Sequence, residues 1–138
     1  METTEKRHHV YFIYEYPNLD KFKIGRSINP FSRLKNLQTG NSRTLKIHSL
    51  ISCPSKEFSK GLEAALHTHY LQSCAGGEWF FIQTEEIVKS ITVANHLSTH
   101  DLPTNLFEEV WDFYFLDKKG SQADKRIKYD IPYIPVKT

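Results

Sequence analysis

The sequence predicts an α/β protein of the α+β kind, with a small three- to four-stranded mixed or antiparallel sheet flanked by helices. Three observations carry this. Residues 10–13 combine aromatic and aliphatic side chains and residues 44–51 alternate apolar with polar ones, as half-buried strands do. Apolar residues recur every three or four positions at 31–37 and 58–70, the period of a helix with one buried face. Turn and capping residues stand between these runs rather than inside them.

Residues 1–7 read as a flexible N-terminus. Val10-Tyr11-Phe12-Ile13 forms a first strand, Pro17-Asn18-Leu19-Asp20 a turn, and Phe22-Lys23-Ile24-Gly25 a second strand. A hairpin therefore spans about 8–27. Asn29 and Pro30 open a helix as N-cap and first helical residue, and Gly40 ends it. Phe31, Leu34 and Leu37 make its apolar face, with Arg33 between them. Residues 44–51 make a third strand. Ser55 caps a longer helix in which Phe58, Leu62, Leu66 and Tyr70 repeat every four residues. Residues 73–77 read as a loop and 78–82 as a strand. Thr84 is the expected N-cap of a helix running to about His96, with Glu85 and Glu86 in its first turn. The domain organisation is then 8–100 as one folded domain and 101–138 as a C-terminal helix and extended tail. Residues 106–116 are aromatic and amphipathic, 117–128 are lysine-rich, and Ile131-Pro132-Tyr133-Ile134-Pro135-Val136 carries large apolar side chains with two prolines at three-residue spacing. Such a tail is expected to dock, on its own domain, on a second copy in a homo-oligomer, or on a capsid or assembly partner.

The 138 residues suffice for one domain with a respectable core. Charge is unevenly spread. Residues 1–52 hold nine basic side chains against four acidic ones, while the whole chain has a net charge of only +2. A solvated lysine-rich surface and an anion-binding surface both fit that excess. Cys53 and Cys74 are the only cysteines and form no C-x-x-C, which argues against a disulfide framework and for reduced thiols. The N-terminus is polar and charged, unlike a signal peptide, and no stretch has membrane-spanning length. An intracellular setting follows as the expectation (cytoplasm, nucleus or virion), with no secretion and no membrane partner.

His9-Val10-Tyr11, Lys23-Ile24-Gly25, Arg33, Gly61-Leu62-Glu63-Ala64-Ala65-Leu66-His67 and Gly77-Glu78-Trp79-Phe80 occur in that order. Together they resemble the GIY-YIG nuclease superfamily, in particular a divergent KIG-type branch of phages and large DNA viruses. The likeness covers about residues 9 to 83. It implies metal-dependent hydrolysis of DNA phosphodiesters. Tyr11 would orient or deprotonate water, Arg33 would grip the phosphate, and Glu63 would hold Mg²⁺ or Mn²⁺. Lys23 stands where the family keeps its second tyrosine, and Phe22 stands just before it. Either Lys23 contacts the phosphate as a point charge or the site has lost a hydroxyl.

Arg26 and Lys35 are further candidates for phosphate contacts. His67, one turn from Glu63, is a candidate proton carrier. Ordinary structural roles compete for each: a strand tyrosine in the core for Tyr11, surface arginines for Arg26 and Arg33, an ion pair for Glu63, and a hydrogen-bonded core-edge histidine for His67. Zinc is disfavoured, because His67 and His69 point to different helix faces and no ligand pair has zinc-finger spacing. Trp79 is expected to pack in the core. The competing overall reading is a catalytically degenerate module, binding nucleic acid or serving virion assembly on the same fold.

Overall fold

The computed structural model describes residues 7–116. The sequence readings for residues 1–6, the lysine-rich stretch and the Pro-containing tail lie outside the described residues. The described part is a five-stranded sheet with four α-helices. The strands are β1 (His8–Glu15), β2 (Lys21–Ser27), β3 (Leu45–Cys53), β4 (Cys74–Gly76) and β5 (Trp79–Phe81), in spatial order β3-β1-β2-β5-β4. Every pairing is antiparallel. The helices are α1 (Pro30–Thr39), α2 (Lys56–His69), α3 (Thr84–Thr99) and α4 (Phe107–Phe115).

Local chemistry accounts for most of these boundaries. The Asn29 side chain accepts from the Ser32 N–H and Ser55 accepts from the Phe58 N–H, so both expected N-caps form. Four details differ from the sequence reading. The sheet has five strands rather than three or four. Residues 74–76 are a short strand rather than loop, because Gly76 and Gly77 at positive φ (127° and 56°) turn the chain back to pair β4 with β5. The α3 cap position is Gln83, with Thr84 already inside the helix, which runs on to Thr99. The buried stripe of α1 is Pro30, Leu34 and Leu37, whereas Phe31 is 48% exposed.

Strand alternation sends side chains to two faces of different character. Val10, Phe12, Phe22 and Ile24 face α2, α3 and α4, and share one core with Leu62, Leu66, Ile87, Ile91, Leu97, Phe107 and Tyr114. Tyr11 and Ile13 face the other way, with Leu45, Leu50 and the α1 residues Leu34 and Leu37. The contact between α2 and the turn at Thr104–Leu106 is close: a Cβ on Gly61 would lie 3.0 Å from the Thr104 Cβ. His69 Nδ1 meets Glu108 Oε2 at 2.7 Å and its ring lies 4.1 Å from that of Trp111, which ties α4 to the end of α2. Among the described residues no helix is long and apolar enough to cross a membrane.

Candidate active site

The pairing between β2 and β5 stops early. Lys21, Phe22 and Lys23 oppose Phe81, Phe80 and Trp79, and one further bond joins the Ile24 N–H to the Glu78 carbonyl at 3.0 Å. The Ile24 carbonyl, which a longer β5 would have used, accepts instead from His67 Nε2 at 2.8 Å. Beyond that point the edge of β2 away from β1, at Gly25 and Arg26, lies beside α2 instead of β5. The sequence-predicted residues gather at this place.

Tyr11 reaches it from one face. It is opposite Gly25 in the β1–β2 register and only 2% exposed. Its ring lies across Gly25, where a Cβ would sit 2.6 Å from the tyrosine Cζ. The glycine of the Lys23-Ile24-Gly25 run is therefore needed because the phenol occupies the space of its side chain. Burial pushes the Tyr11 phenol above its ordinary pKa; the hydrogen bond and charge of Arg33 oppose this, and the charges of Glu78 and Glu63 add to it. The phenol thus keeps its proton at neutral pH. Arg33, exposed on α1, stands beside the hydroxyl.

Glu63 comes from α2, on the opposite layer of the fold, yet its carboxylate reaches the same edge. Glu63 Oε1 lies 3.2 Å from Arg26 Nε, and Oε2 lies 3.9 Å from His67 Nε2. Its side chain is 19% exposed. Burial is the main cause that raises its pKa, with Glu78 adding to the rise while His67 and Arg26 oppose it. Glu78, which sequence reasoning treated as part of a structural strand, closes the cluster. Its Oε1 is 3.4 Å from Lys23 Nζ. Donor atoms of Glu63, His67 and Glu78 all lie within 4.8 Å of one another. The signal for Glu78 in the sequence was its place after the Gly76-Gly77 turn, but only the register of β5 brings it to the edge of β2.

The other candidates divide. Lys23 shares the Tyr11 face, since it stands opposite Ile13 on β1 and Trp79 on β5. Phe22 is fully buried on the opposite face. A hydroxyl at position 22 would point into the core, so Phe22 does not mark a lost catalytic group. Lys35 is two residues beyond Arg33, about 200° round α1, and so does not converge with it. His67 is held by the Ile24 carbonyl and by its ring contact with Phe80, centroids 5.0 Å apart. With its Nε2 proton committed to Ile24, it ties α2 to the edge of β2.

The donor set suits a hard cation: two carboxylates with no thiolate, and an imidazole whose nearer nitrogen is already a hydrogen-bond donor. Two carboxylates this close attract positive charge, and Arg26 and Lys23 supply it here.

Residues 8–95, which include every group just described, match the T5orf172 domain. The chain belongs to the T5orf172 domain family. This family is associated with GIY-YIG-like and homing-endonuclease-like nucleases, and membership points to a nuclease-like or DNA-binding role. The T5orf172 match ends within α3, so α4 lies beyond it. No curated protein and no solved structure shows significant similarity to the chain.

Proposed function

We propose that this T5orf172 domain protein is a divalent-metal-dependent DNA endonuclease of GIY-YIG type. The observation that carries the reading is the convergence on one edge of β2: a protonated phenol, two guanidinium groups, a lysine and two carboxylates from four elements and the turn between β4 and β5. A structural ion-pair network needs no phenol packed across a glycine. A phosphodiester hydrolase needs cations for the phosphate, an oriented hydroxyl and a carboxylate-bound metal.

Arg33 is the exposed cation and the first to meet a phosphate, which it can hold through two parallel hydrogen bonds. A phosphate drawn there arrives beside the Tyr11 hydroxyl, which donates a hydrogen bond and orients water rather than abstracting a proton. Lys23 adds a point charge from the same face. Glu63, with Glu78 beside it, would hold Mg²⁺ or Mn²⁺; when bound, the ion supplies positive charge to the phosphate and the departing oxygen. Arg26 balances the Glu63 carboxylate and is a secondary phosphate contact at most.

The test is nicking of supercoiled plasmid, with and without Mg²⁺ or Mn²⁺, by the full chain and by Glu63→Gln and Arg33→Ala. Metal-dependent nicking is expected, reduced about 10²- to 10³-fold in each variant, with each variant still unfolding cooperatively in urea. Nicking that survives both substitutions would overturn the assignment. One observation favours a second reading: the family's second tyrosine position is Lys23, already paired with Glu78. Salt-sensitive DNA binding with no cleavage under any metal would identify a degenerate binding module.

A further inference from the structure

Among the described residues, the sheet face that carries Tyr11 is only half covered. Helix α1 packs over β3 and β1, where Leu34 and Leu37 meet Ile13, Leu45 and Leu50. The other half of that face is formed by β2 and β5. Its side chains follow from the register: Lys23 opposite Trp79, then Lys21 opposite Phe81. Directly opposed residues of antiparallel strands share a face, so these four form one contiguous patch beside the candidate active site. Phe81 is 53% exposed, although its neighbour Phe80 is 2% exposed in the core. Trp79 is partly buried against the smaller cluster, with Lys21 Nζ 5.5 Å and Lys23 Nζ 5.9 Å from its ring centroid.

We propose that this patch is a stacking platform for an unpaired nucleic-acid strand, which it leads to the phosphate site at the edge of β2. The proposal rests on the nuclease reading above and narrows its substrate to DNA with a single-stranded segment. The reasoning is about which surfaces a nucleic acid offers. A duplex presents phosphates and groove edges, and its base faces are already stacked on one another. An exposed phenylalanine on a flat sheet gains nothing from it. An unpaired strand offers base faces to Phe81, with Trp79 beside it, and phosphates to Lys21, with Lys23 shared with Glu78. The patch has both kinds of partner at the alternation a strand requires, an aromatic beside a cation in two successive rows. Charge complementarity selects a polyanion over an apolar partner for the same surface.

The experiment measures binding of the full chain in EDTA, so that it is independent of cleavage. Fluorescence anisotropy compares a labelled oligothymidylate of about 12 nucleotides with a blunt duplex of equal length. The expected result is tighter binding of the single strand by about tenfold or more. Phe81→Ala should weaken the single strand by about tenfold and leave the duplex unchanged, while Phe81→Tyr retains binding. Lys21→Gln should lower the slope of log affinity against log salt by about one. Equal affinity for both forms, or no effect of Phe81→Ala, overturns the platform but not the nuclease, which plasmid nicking tests separately. A self-association of the chain that Phe81→Ala abolishes, seen by light scattering, also overturns it, by making the patch an interface between copies. Failure to bind either form would overturn the platform and the nucleic-acid reading together.

Discussion

The two faces of the sheet differ in what they contain. On the face covered by α2, α3 and α4, nineteen buried residues form one cluster, whereas on the α1 face four do, among the described residues. The large cluster is almost wholly apolar. Its two tyrosines have internal partners: Tyr70 bonds Ser90 and the Glu86 carbonyl, and Tyr114 bonds His96. The small cluster includes Tyr11, whose hydroxyl meets Arg33 instead of a neutral internal partner. The difference teaches where the molecule stores stability and where it tolerates charge. A domain that buries most of its apolar area on one side can leave the other side partly open, with a carboxylate at the edge, Glu63, whose pKa burial raises.

Three substitutions would break or sharpen this contrast. The largest effect is expected on the heavily packed face. Phe22→Ala should cost about 3–5 kcal/mol in urea unfolding, because Phe22 is fully buried. Nicking per folded molecule should be little changed, since the side chain does not face the site. A loss of nicking without a loss of stability would show that the two faces are not separable. Gly25→Ala tests the seam between them. The added methyl meets the Tyr11 ring, with 2.6 Å to Cζ, at a cost of about 1–3 kcal/mol. Here nicking should fall further than stability, because the displaced group is the phenol itself.

The smallest effect is a pH dependence. The Glu63 pKa is raised above its ordinary value of 4.5, mainly by burial. The folded chain therefore binds that proton more tightly than the unfolded chain. Stability from this group is greatest below pH 4.5 and is lost as pH rises through the raised folded value. In EDTA at about pH 7, Glu63→Gln should have a slightly higher melting temperature than the natural chain, and the difference should vanish below pH 4.5. Adding Mg²⁺ should reverse the order by stabilising only the chain that has the carboxylate. A Glu63→Gln protein that is less stable in EDTA would show that the Arg26 pair outweighs burial.

Much of the half that carries the candidate site was readable locally. Asn29-Pro30 and Ser55 announce helix starts because a cap needs only its own next three residues. Tyr11, Arg33 and Glu63 were visible as residue types in a familiar order. Glu78 was not, because its position depends on β5, a strand of three residues held by its pairing with β2 rather than by its own pattern. Phe31 misled for a related reason: three-residue spacing fits either side of a helical stripe, and the sheet beneath α1 selected Pro30 instead.

By itself the sequence determined the hairpin, the helix starts, the apolar period of α2 and the identity of the chemically capable side chains. Each of these depends on neighbours within a few positions along the chain. The tertiary structure decided that Glu63 and Tyr11, carried on opposite layers, meet at the edge of β2, that Phe22 faces inward, and that Trp79 and Phe81 lie beside two lysines on a part of the sheet that none of the described helices covers. Those outcomes depend on where β5 stops pairing and on which strand each helix covers. Both are contacts between segments far apart in sequence, and no local pattern encodes them.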